Sequence, residues 1–135
     1  MKTFLALLPR LRLMALCLAL LCAACNRSSE FNATKKRAQA GEVQAQLELA
    51  QMHMYGKGAK QDEVEARKWA EKAANQGLAA AQRIYGTMLR DAYGSPYRDI
   101  AKAREWLAKA AAQGDAEAKV ELAATPAVPP PVPKK

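Results

Sequence analysis

Apolar residues recur along this chain at the spacing of helix faces. Ala45, Leu49 and His53 stand four apart, with Ala50 and Met52 beside them, which predicts a helix over residues 42–55 with one buried stripe. Gly56 and Gly58 end it, because glycine takes the positive φ that a helix terminus often needs. A second stripe, Ala66, Trp69, Ala70, Ala73 and Ala74, begins just after Asp62, whose carboxylate is placed to cap the new helix. The alternation then starts over. Ala81, Tyr85, Gly86 and Leu89 mark a third helix, Ala103, Trp106, Ala110 and Ala111 a fourth behind Asp99, and Ala118, Leu122 and Ala123 the start of a fifth. On the solvent side, Glu63 and Arg67 are spaced for a surface ion pair.

These stripes are copies of one unit. Residues 62–77, DEVEARKWAEKAANQG, return 37 positions later as DIAKAREWLAKAAAQG, with nine of sixteen residues identical. A period in this range marks a stacked repeat, whose units hide their apolar faces only against their neighbours. Residues 33–41 fit as the worn second helix of a preceding unit, since Lys36, Ala38 and Gly41 fall on Lys72, Ala74 and Gly77. Gly86 occupies the place of Ala50, and small residues at equivalent positions predict a close approach of helices there. The loop at 94–98 is one residue longer than its counterpart at 58–61, and Pro96 lies where a turn absorbs the insertion. The fold class is therefore all-α, a solenoid of helical hairpins over residues 34–123. It divides into repeats at about 41–76 and 77–113 and a capping helix at 114–123.

The two ends differ from this pattern. Lys2, Arg10 and Arg12 precede the uncharged run LMALCLALLCAA at 13–24, about a dozen residues, where a membrane-spanning helix needs roughly 20. Residues 1–24 read as an export signal. Leu21-Cys22-Ala23-Ala24-Cys25 resembles the lipobox of bacterial lipoproteins, with Cys22 where a Leu or Val is usual. That resemblance implies lipidation of Cys25; ordinary cleavage after Ala24 is the alternative. Asn26 behind the cysteine implies sorting to the outer membrane, so the expected location is the periplasmic side of a Gram-negative membrane. Residues 25–33 are expected to form a polar tether, NRSSEFN being its visible part. At the other end Thr125-Pro126 stops the last helix, and the prolines between 129 and 133 predict a solvated, extended tail over 124–135.

Charge narrows the function further. The chain carries a net charge of +8 from 21 basic and 13 acidic residues, but the basic residues form no block interleaved with aromatics, which argues against a nucleic-acid partner. All three cysteines lie within residues 17–25, so no disulfide framework or thiolate metal site supports the domain, and no cofactor is expected. His53, the one histidine, lies on a buried stripe and reads as a packing residue. Trp69 and Trp106 stand among alanines as the large knobs of the core.

Leu49-Ala50, Tyr55-Gly56-Lys57-Gly58, Gln61-Asp62, Ala66, Trp69, Lys72-Ala73-Ala74 and Gly77, with Gly86, Gly94, Asp99, Ala103, Trp106, Lys109-Ala110-Ala111 and Gly114 in the second copy, resemble the Sel-one-like repeat family, relatives of the tetratricopeptide repeat. His53 and Leu89 replace a usual aromatic, and Asp91-Ala92 replaces a usual Tyr-Gly, so a bent or loosened second hairpin is expected. The resemblance implies antiparallel hairpins in a right-handed superhelix that holds other proteins, with first helices lining the concave side. On that side the residues off the core stripe are Gln44, Leu47, Gln51, Met54 and Tyr55, then Arg83, Thr87, Arg90 and Asp91, then Glu117 and Val120. Two arginines among amides, a Met and a Tyr would suit a peptide carrying an acidic group. Some relatives are cysteine-rich and have been linked to penicillin binding; this chain lacks those cysteines. No nucleophile, base and orienting group can be placed together, so the expectation is a non-enzymatic adaptor or scaffold tethered by lipid. An immunity or inhibitor protein against a periplasmic toxin is the alternative, and a cell-wall or β-lactam hydrolase the remotest one.

Overall fold

The computed structural model describes residues 28–92 and 95–127. Among these residues there are six helices and no strand: α1 over residues 28–39, α2 Val43–Tyr55, α3 Glu63–Asn75, α4 Ala79–Asp91, α5 Ile100–Ala112 and α6 Ala116–Ala124. From α2 onward each helix packs on the next, most extensively within the hairpins α2–α3 and α4–α5, and α4 also touches α6. This is an all-α repeat solenoid. The expected export signal at 1–24, Cys25 and the prolines at 129–133 lie outside the described residues.

Local chemistry places the joints. Asp62 accepts from the backbone N–H groups of Val64 and Glu65, both at 3.0 Å, and Asp99 from that of Lys102 at 3.0 Å, satisfying donors that a helix start leaves unpaired. Those N–H groups hold both carboxyls below the usual aspartate range. Between hairpins, Gly41, Gly77 and Gly114 have φ of 96°, 93° and 95°, the same left-handed turn three times over. Across each full hairpin the capping aspartate also closes the loop: Asp62 N–H donates to the His53 carbonyl at 2.9 Å, and Asp99 N–H to that of Leu89 at 3.0 Å. The second closure matches the first although Ala92 stands where Gly56 reverses the chain, so the expected loosening is not seen at that bond.

The buried stripes are those the periodicity predicts in α3 and α4; in α2 Ala45, Leu49 and Ala50 are buried as predicted, Leu47 joins them, and Met52 and His53 are half-buried. In α5 the face turns slightly. Leu107 is fully buried with Ala103 and Ala110, whereas Trp106 is half-buried and packs against the rim of the core. The expectation of two equally buried indoles is thereby corrected: α3 is followed by a complete hairpin, α5 by α6 alone. Leu122 is half-buried and Ala123 exposed for the same reason. Both indoles carry a lysine on one ring face, Lys72 Nζ lying 4.2 Å from the Trp69 ring and Lys109 Nζ 4.1 Å from that of Trp106.

Two further expectations need correcting. From residue 28 onward the supposed tether is the start of α1: Phe31 packs on the core, Thr34 and Ala38 are buried, and the Phe31 ring meets that of His53 edge-on at 5.4 Å. His53 is accordingly half-buried at the edge of the core. Glu63 and Arg67 form no ion pair among the described residues. Arg67 turns its guanidinium over the Tyr97 ring, 4.0 Å from the centroid, while Glu65 takes Lys68 at 2.8 Å.

A glutamine ladder runs through the stack. Gln76 Nε2 donates to Gln46 Oε1 at 2.7 Å, and Gln46 Nε2 to the Ala38 carbonyl at 3.2 Å. One repeat later Gln113 donates to Gln82 at 2.7 Å, and Gln82 to the Ala74 carbonyl at 3.3 Å. Gln46 and Gln82 are buried, so each rung exchanges its hydration for bonds to the previous unit and fixes the register between units.

Burial also moves one titration. The Tyr85 hydroxyl, packed in the core with its ring 5.6 Å from Trp106, is pushed up to about 12 by desolvation, with the Glu71 carboxylate adding to the effect. The unfolded chain ionises this phenol near its ordinary value of 10.0, so Tyr85 contributes stability that is fully present below that pH and is lost as pH rises toward 12. Chemical denaturation from about pH 9 to about pH 11 should show a falling midpoint, with a shallower fall for Tyr85→Phe. Equal slopes would show that another group sets the alkaline limit.

Candidate functional site

A concavity lies where the end of α2, the start of α3 and the length of α4 meet, with α6 at its edge. It encloses about 350 Å³ and is lined by Met54 and Tyr55, by Glu63, Ala66 and Arg67, by Arg83, Ile84, Thr87, Met88, Asp91 and Ala92, and by Glu121. Its apolar floor is therefore built by Met54, Ala66, Ile84 and Met88. Tyr55, 64% exposed, forms one wall.

Of the residues expected on the concave face, Met54, Tyr55, Arg83, Thr87 and Asp91 line this groove. The remaining candidates are placed elsewhere. Leu47, expected on the binding face, is buried in the core at 4% exposure. Gln44, Gln51 and Val120 do not line the groove, and Glu117 lies beside it, bound to Arg83. Glu63, Ala66 and Arg67 belong to α3, which a reading of first helices alone passes over, whereas Ile84, Met88 and Glu121 lie on first helices but are not among the residues expected there. The signal for Ile84 and Met88 was their four-residue spacing beside the Tyr85 and Leu89 stripe.

The two arginines expected to attract an acidic ligand are already engaged. Arg83 bonds Asp115 at 3.2 Å and Glu117 at 2.9 Å, and Arg90 bonds Asp91 at 2.6 Å and also Glu121. Those carboxylates raise the Arg90 guanidinium further above its already high value, Asp91 chief among them. Arg83 and Arg90 are 25% and 17% exposed, and their partners on α6 lie 31 to 34 residues away in sequence. They latch the capping helix onto α4. Reversing their charge would release that helix as well as alter the groove. On α5, Arg104 secures the other side of α6, donating to the Thr125 carbonyl at 2.6 Å. Among the described residues no group of three or more His, Cys, Asp or Glu side chains is arranged to hold a metal ion.

A stack of helical hairpins with an open, partly apolar groove is the form of a repeat scaffold. The Sel1 repeat model matches residues 43–78 and 79–115, and the chain belongs to the Sel1 repeat family. Sel1 repeats are in general protein–protein interaction modules, and the fold is mainly a non-catalytic one. Among solved structures, the chain is similar to c5321, a protective antigen of uropathogenic Escherichia coli strains displaying an SLR fold. That match has a TM-score of 0.70 and 31% identity over 73% of this chain and 21% of the antigen. It is also similar to a Sel1 repeat protein from Oxalobacter formigenes, with a TM-score of 0.65 and 29% identity over 70% of this chain and 39% of that one. The chain thus spans about a fifth of the first relative and about two fifths of the second. No curated protein matches it.

Proposed function

We propose that this protein is a non-enzymatic adaptor that holds a segment of another protein in the groove between α2, α3 and α4, and that lipid on Cys25 tethers it to the periplasmic side of the outer membrane. The observation that carries the binding role is the open floor of Met54, Ile84 and Met88 beside an exposed Tyr55. Apolar surface left uncovered between polar rims is the mark of an interaction site. Filling the groove tests this. Thr87→Trp adds bulk at the lining without changing charge and should abolish capture of partners crosslinked in intact cells, while leaving the helical circular dichroism unchanged; undiminished capture would overturn the groove assignment.

The tether is supported by the LCAAC sequence at 21–25 and the short apolar run before it. Several acyl chains on one residue anchor stably, at about 0.8 kcal/mol per buried methylene. Cys25→Ser should abolish incorporation of labelled palmitate and move the protein to the soluble fraction. A wild-type chain that takes up no label would show the lipid assignment to be wrong.

A further inference from the structure

We propose that the groove recognises a segment of a partner protein in which a large apolar side chain is flanked by lysine or arginine; this rests on the reading of the groove as the partner-binding surface. The inference comes from which charges remain open once the internal pairs are formed. Arg83 lies between Asp115 and Glu117, Arg90 between Asp91 and Glu121, and Arg67 is stacked on Tyr97. An acidic ligand would have to displace carboxylates already seated on Arg83 and Arg90; Arg67 holds no carboxylate among the described residues, and one face of its guanidinium is taken by the Tyr97 ring. The carboxylates themselves are not used up. Glu117 is 74% exposed, Asp91 48% and Glu121 34%, and Glu63, exposed at the first turn of α3, makes no ion pair among the described residues.

The groove is lined by the carboxylates of Glu63, Asp91 and Glu121 and the guanidiniums of Arg67 and Arg83; adding their ion-pair partners and Lys57, which lies over the Tyr55 ring, five carboxylates stand against four cations, on a chain whose overall charge is +8. The concavity is thus an acidic spot on a basic molecule, which steers a cationic segment toward it and repels an anionic one. The floor asks for the second half of the motif. Met54 and Met88 are unbranched and adaptable, and with Ile84 they accept an aliphatic or aromatic side chain without demanding one shape.

The test is selection of a displayed library of random peptides, about twelve residues long, on the full chain, followed by affinity measurement for an enriched peptide and for the same peptide with each Lys or Arg changed to Glu. The expected result is an enriched pool that is basic and apolar. The Glu-substituted peptide should bind at least about tenfold more weakly, Glu63→Lys should weaken the basic peptide about fivefold, and rising salt should narrow both differences. Thr87→Trp separates the two ideas. Peptides lost on that variant but acidic or neutral in composition would overturn the basic-partner inference and leave the groove as the binding surface. Peptides that bind Thr87→Trp undiminished, or no enrichment at all, would overturn both. A chain shortened after Ala127 that binds the basic peptide more tightly would assign the groove to the chain's own tail instead and overturn the partner assignment.

Discussion

Trp69→Ala should lower stability by about 3 to 5 kcal/mol, and Trp106→Ala by only about 2 kcal/mol, although the two indoles occupy equivalent positions of near-identical helices. Trp69 is 7% exposed. Its indole N–H donates to Glu65 Oε2 at 3.1 Å, and Lys72 covers one ring face. Trp106 has the lysine and the edge contact with Tyr85, but Lys102 stands where Glu65 does, and only α6 follows to cover it. For a domain of this size the first loss corresponds to a melting temperature lowered by about 15 °C or more and the second to about 10 °C. Thermal unfolding followed by circular dichroism checks both. Equal losses would mean that deeper burial and the Glu65 hydrogen bond, which are what separate the two sites, do not set the cost of removing the indole.

The stripes of α2, α3 and α4 were legible because each is written twice. Ala45 and Ala81, Leu49 and Tyr85, Ala50 and Gly86 recur 36 residues apart, and a repeat spacing reports helix faces more directly than any single helix does. The polar half of the core was less legible. Gln46 and Gln82 recur at the same spacing, but a glutamine beside an alanine stripe looks like surface until its acceptors, the Ala38 and Ala74 carbonyls of the previous unit, are in place. The start of α1 escaped for a compositional reason. Ser, Glu and Asn around Phe31 read as a tether, and only the spacing of Phe31, Thr34 and Ala38 hints at a buried face. At the groove, Met54, Tyr55, Arg83, Thr87 and Asp91 were legible, but not the lining residues of α3 or the ion pairs that occupy the arginines. Stacking of α4 and α6 brings the arginines of one onto the carboxylates of the other, a pairing that local spacing along one helix does not show.

Gly86 is where the stack tolerates least. A Cβ added there would stand 3.0 Å from Leu107 Cγ, 3.1 Å from the Ala103 carbonyl oxygen and 3.3 Å from the Leu107 nitrogen. The first hairpin solves the same joint with two alanines, Ala50 and Ala70, both fully buried. The second uses glycine opposite leucine, the side chain on α5 filling space that the glycine on α4 gives up. Gly86→Ala gains up to about 1 kcal/mol of helix propensity, against overpacking of about 1 to 3 kcal/mol. Because two of the three atoms in the way are backbone and Leu107 is fully buried, a net loss of about 1 kcal/mol is expected. Gly86→Val, with two more methyl groups driven at α5, should cost about 3 kcal/mol or more and unfold the second hairpin first. Leu107→Ala alone opens a cavity costing about 2 to 5 kcal/mol. In that background Gly86→Ala should cost at least about 1 kcal/mol less than it does alone, because the double variant restores the alanine pair of the first hairpin and leaves only the backbone contacts to be relaxed. A double-mutant cycle by urea denaturation reads this coupling. A zero interaction energy would mean that α4 and α5 are held apart by backbone alone, and that Leu107 is not the residue for which position 86 is kept small.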